Sequence, residues 1–142
     1  MGKVAIIYWS GSGNTEAMAA EVANGVKEAG GEPVLLFADP EKHQELEMAG
    51  CDAVAFGCPA MGAEELEDTV FLPVYEACRP KLGGKKVAFF GSYGWGDGEW
   101  MRTWEDQAKD AGIILACDSV LCNEAPDEEG VAACRALGKT LV

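Results

Sequence analysis

Val4-Ala5-Ile6-Ile7-Tyr8-Trp9-Ser10-Gly11-Ser12-Gly13-Asn14-Thr15 is the stretch on which the reading of this chain turns. Its first half is an apolar run of strand type, and residues 16 to 29 after it carry apolar positions at helical spacing, among them Met18, Val22 and Val26. A strand that passes into a helix through a loop of glycines and hydroxyl residues leaves backbone N–H groups unpaired at the helix start, where the dipole favours an anion. The loop holds neither Lys nor Arg, so the lysine-bearing phosphate loop of nucleoside triphosphatases is absent. Glu16 stands where the dinucleotide fingerprint needs its third glycine. What remains is a cradle for a phosphomonoester built from amides and hydroxyls.

Outward from that loop the chain alternates strand and helix. Apolar strand candidates lie at residues 3–9, 33–38, 52–57, 86–91 and 113–122, and helical spacing recurs at Leu66, Val70, Val74 and Cys78. Gly30-Gly31 and Gly83-Gly84 stop helices, and Asp127-Glu128-Glu129 places acid in the first turn of the last one. Residues 39–50 carry the weakest signal. Continuous Val, Ala, Ile and Phe runs fit strands buried on both faces, which predicts an α/β fold with a doubly wound, five-stranded parallel sheet and helices on both faces. Right-handed crossovers favour the order 2-1-3-4-5, with ligand outside the carboxyl ends at the switch point between strands 1 and 3. Loops 10–15, 58–65 and 92–99 should meet there.

The second loop, Pro59-Ala60-Met61-Gly62-Ala63-Glu64-Glu65, combines a soft apolar side chain, a glycine and carboxylates. The third, Gly91-Ser92-Tyr93-Gly94-Trp95-Gly96-Asp97-Gly98-Glu99-Trp100, sets aromatics between glycines, so that Trp95 offers a flat apolar platform. A planar aromatic ligand is the natural occupant. Trp100 and Trp104, four residues apart, read instead as packing residues of the next helix.

Composition bounds the function. The 142 residues, 49% hydrophobic and 25% charged, suit one globular domain spanning 1–142, and the net charge of −13 repels nucleic acid and anionic membrane while favouring basic partners. No run approaches the ~20 apolar residues of a membrane span, and none fits a signal peptide, so a cytoplasmic protein is expected. Met1-Gly2 could open a myristoylation signal, but Ile6 stands where Ser or Thr is required. The six cysteines, Cys51, Cys58, Cys78, Cys117, Cys122 and Cys134, form no CxxC and read as reduced core residues. His43, the single histidine, lies in a polar run and is given no chemistry.

These three loops together resemble those of the flavodoxins, the type example of the strand order above. The resemblance spans the whole chain. With no insertion of some twenty residues before Asn123-Glu124, the chain is similar to the short-chain, clostridial-type class. The resemblance implies non-covalently bound FMN, with Ser10, Gly11, Ser12, Gly13, Asn14 and Thr15 on its phosphate. Met61 and Trp95 would flank the isoalloxazine, Gly62 and Ala63 would meet its N5 edge, Glu64 would receive N3–H, and Ser92, Tyr93, Gly94 and Gly96 would lie nearby. Pro59 departs from relatives with a hydroxyl residue there. A low-potential one-electron carrier follows, cycling mainly between neutral semiquinone and anionic hydroquinone and docking transiently, as a monomer, on redox proteins with basic surfaces. Gly62 permits a peptide flip towards N5, whereas Ala63 disfavours the alternative turn by about 1 kcal/mol. An FMN-dependent reductase acting on a quinone-like substrate is the other reading; no Arg or Lys is expected beside the loops to hold a dinucleotide. A phosphoacceptor domain of the same order lacks its acids, since Gly57-Cys58-Pro59 and Trp9-Ser10-Gly11 fill those positions.

Overall fold

The computed structural model describes residues 2–11, 13–61, 66–94 and 98–142. Five strands, β1 (Lys3–Tyr8), β2 (Glu32–Phe37), β3 (Ala53–Gly57), β4 (Lys86–Tyr93) and β5 (Val120–Asn123), form one parallel sheet in the order β2-β1-β3-β4-β5. Alternation along the strands divides the core in two. Val4 and Ile6 of β1, Ala53 and Ala55 of β3 and Ala88 and Phe90 of β4 point to one face, where α1 (Asn14–Glu28) and α5 (Glu128–Thr140) cover them. Ala5, Ile7, Val54, Phe56, Val87 and Phe89 point to the other, under α2 (Gln44–Ala49), α3 (Phe71–Cys78) and α4 (Glu99–Asp110). The doubly wound sheet expected from the sequence is therefore present.

On the first face α1 and α5 pack backbone against backbone. A Cβ on Gly25 would lie 2.0 Å from the Arg135 carbonyl oxygen, and one on Gly138 would lie 2.2 Å from that of Val22. Arg135 pairs with Glu21 at 2.9 Å across the same seam. On the second face Phe89 and Trp104 stack with centroids 3.8 Å apart, and Trp100 and Trp104 are both fully buried.

Two boundaries differ from the sequence reading. Residues 113–122 are not one strand: Leu115 makes a single bridge to Val87, the chain then bends, Ser119 donates to Glu105 of α4 at 2.6 Å, and pairing resumes only at Val120. Cys117 and Cys122 thus do not share a strand. Helix α3 begins at Phe71 rather than near Leu66, because the Glu67 carboxylate takes the amides of Thr69, Val70 and Phe71 and fixes the start there. In the weakly marked segment 39–50, Asp39 caps a short 3-10 turn over Pro40–Lys42 and α2 follows.

Candidate functional site

Where β1 and β3 diverge, their carboxyl ends and that of β4 bring the three loops together. Trp9 extends the β1–β3 pairing by one bond, its N–H to the Gly57 carbonyl at 3.0 Å, before the chain turns into the first loop. The Ser10 hydroxyl accepts the N–H groups of Gly13 at 3.0 Å and Glu16 at 3.2 Å, which leaves its own proton to donate. Gly13, at φ 95°, caps α1. Among the described residues the amides of Gly11, Asn14 and Thr15 find no protein acceptor. Among the described residues, three amides without a protein acceptor and a hydroxyl proton left to donate stand at this helix start, and no Lys or Arg occurs in the loop; together they suit an anion.

Ser92 connects this loop to the second. Its hydroxyl lies 3.0 Å from that of Thr15, both buried, and its carbonyl accepts the N–H of Ala60 at 3.0 Å. Beyond Ala60, Met61 stands 38% exposed at the mouth. Behind it the neck is closed by Cys58, whose buried thiol accepts the Glu67 N–H at 3.3 Å and whose pKa burial pushes up to about 12. That thiol is an inert core group rather than a nucleophile. The third loop leaves β4 at Tyr93, whose carbonyl takes the Glu124 N–H at 2.8 Å and whose ring lies 5.6 Å from Trp100.

Between these loops opens a cavity of about 530 Å³. Gly11, Asn14, Met61, Ser92, Tyr93 and Gly94 line it, all six among the residues expected at the site. Ser10, Gly13 and Thr15 stand immediately beside them in the first loop. Ser12, Gly62, Ala63, Glu64, Trp95 and Gly96 lie outside the described residues. The lining also includes Trp9, Pro59, Ala60, Glu124 and Ala125. Glu124, a carboxylate the sequence places near the site, is among them; Ala125 is not anticipated, and its place just after the carboxyl end of β5 is the signal that could have found it.

The residues present fit FMN. The open amides and hydroxyls suit a phosphate, and a mixed aromatic and thioether cavity of this size admits a flat tricyclic ring.

A sequence model of the family described as Flavodoxin matches residues 6–138. The chain belongs to the flavodoxin family. It is 46% identical over 137 residues to the flavodoxin of Megasphaera elsdenii, covering 96% of each chain, and 42% identical over 123 residues to that of Clostridium beijerinckii, covering 87% of this chain and 88% of that one. The solution structure of two-electron reduced Megasphaera elsdenii flavodoxin superposes with a TM-score of 0.86 at 45% identity over 97% of both chains. These relatives place the chain with the short-chain, clostridial-type flavodoxins, which are FMN-binding electron carriers, and FMN is its cofactor. Among the described residues no helix is long and apolar enough to cross a membrane.

Proposed function

We propose that this flavodoxin is a low-potential one-electron carrier working mainly between the neutral one-electron-reduced and the anionic two-electron-reduced states of its flavin. The observation that carries the proposal is the charge of the cavity: Glu124 lines it, the cradle contains no cation, and the chain bears a net charge of −13. Bound FMN supplies the redox centre, accepting and releasing electrons one at a time. The protein's part is to hold it. Ser10, Gly11, Ser12, Gly13, Asn14 and Thr15 would bind the phosphate; Met61 and Trp95 would flank the ring, Gly62 and Ala63 would meet its N5 edge and Glu64 would receive N3–H, with Ser92, Tyr93, Gly94 and Gly96 nearby. Carboxylates around the ring would raise the cost of a second negative charge, each by about 1 kcal/mol at 4 Å in water-like surroundings, so several would have to act together.

The protein works as a single domain, a monomer in the cytoplasm, and has no substrate site of its own. Its acidic surface attracts redox proteins with basic patches, giving fast, transient docking that weakens as salt rises. Anaerobic reductive titration followed by the visible spectrum tests this. A long-wavelength band that builds and then bleaches supports a one-electron carrier. Reduction straight to the two-electron level overturns it and favours the FMN-dependent reductase.

A further inference from the structure

We infer that Ser92 is a positioning residue for the phosphate of the bound flavin: its hydroxyl donates to Thr15 and so turns the Thr15 O–H towards the anion cradle. The inference rests on the reading of that cradle as the phosphate site. Thr15, 1% exposed in the first turn of α1, and Ser92, 4% exposed near the carboxyl end of β4, place their hydroxyl oxygens 3.0 Å apart. Only one proton can lie between two oxygens at that distance. If Thr15 supplied it, Thr15 would turn lone pairs towards an anion at the helix start. If Ser92 supplies it, the Thr15 proton is left to donate alongside the open amides of Gly11, Asn14 and Thr15 itself.

The second arrangement is the one a dianion selects, and a donor that is itself accepting a hydrogen bond is the stronger donor. It matters here because the cradle has few alternatives. No Lys or Arg lies in residues 9–16, and Pro59, which lines the cavity, brings neither a hydroxyl nor an N–H. Ser92 also reaches the second loop through its carbonyl, so the position is held whether or not the hydroxyl is present.

The test compares FMN with riboflavin, which lacks the phosphate. Wild-type, Ser92→Ala, Thr15→Val and the double variant are loaded with each flavin and diluted, and release is followed by flavin fluorescence. Ser92→Ala should weaken FMN roughly 5- to 10-fold and Thr15→Val roughly 10- to 100-fold, with riboflavin within about twofold of wild type. In the Thr15→Val background Ser92→Ala should add nothing, whereas in Thr15→Ser, which keeps the hydroxyl, its effect should persist. Equal losses for both flavins, or the full Ser92→Ala loss in the Thr15→Val background, would overturn the inference. A wild-type protein that holds FMN no more tightly than riboflavin would instead remove the phosphate reading beneath it.

Discussion

The Cys58 thiol and the Glu67 amide, nine residues apart, meet at 3.3 Å across the neck of the second cofactor loop. Glu67 is fixed from its other side as well. One carboxylate oxygen accepts the amides of Val70 and Phe71, each at 2.8 Å, and the other accepts the amide of Thr69 at 3.1 Å and the Thr69 hydroxyl. Every lone-pair direction faces a donor, so an amide side chain would turn its NH2 against two of them. Glu67→Gln should lower unfolding stability by about 2–3 kcal/mol in urea denaturation.

The same carboxylate gives acid sensitivity of a definite sign. Burial pushes the Glu67 pKa up, but the hydrogen bonds from the Thr69 hydroxyl and the Phe71, Val70 and Thr69 amides together outweigh it, and the folded value lies below the ordinary one. The stabilisation is therefore complete above the unfolded carboxylate pKa of about 4.3 and is lost as pH falls through the folded value. Stability curves of wild type and Glu67→Gln should converge in acid. Parallel curves down to the acid limit would show that Glu67 carries no such linkage.

Gly91 lies where β4 passes the carboxyl end of β3. A Cβ there would stand 2.2 Å from the Cys58 carbonyl oxygen and 3.2 Å from Cζ2 of Trp100. The first contact is with backbone, so neither strand can yield without losing its pairing. Gly91→Ala should cost about 3 kcal/mol or more, read as a fall in the unfolding midpoint.

Glu124 lines the cavity with φ 59°, in the left-handed region. Glu124→Gly should therefore retain wild-type stability, while the β-branched Glu124→Val should lose about 1–2 kcal/mol. Removal of the charge acts separately. Glu124→Gln should raise the potential for the second electron by up to about 40 mV at low ionic strength, and by less at 1 M salt.

Ala63 lies outside the described residues, and the expectation for it comes from turn chemistry alone. Ala63→Gly removes the Cβ that disfavours the competing turn, so the one-electron-reduced share at half reduction should fall. An unchanged share in a spectroscopic titration would dismiss the argument.

Much of this arrangement is legible in the sequence, for identifiable reasons. Parallel strands buried on both faces read as continuous apolar runs, and the sheet order follows from crossover handedness once five such runs are counted. The candidate anion cradle is legible because Ser10 to Thr15 are adjacent in the chain. The Thr15–Ser92 contact is not, since it joins residues 77 positions apart through the stacking of α1 beside β4. Nor is the start of α3, which a single carboxylate sets against a helical pattern that runs on to Leu66. Residues 113–122 mislead because apolar content persists through a bend that Ser119 and Glu105 hold.

The glycine seam between α1 and α5 has a temporal consequence. Gly25 and Gly138 let the two helices share a surface that neither can cover alone, and α1 carries the cradle at its other end. During synthesis the first helix emerges early and can lay its apolar stripe of Met18, Val22 and Val26 on β1, but the flank that carries Gly25 stays open until residues 128–140 have left the ribosome. The last residues to join the cavity lining, Glu124 and Ala125, lie just before that helix, so flavin should be captured only after both have emerged.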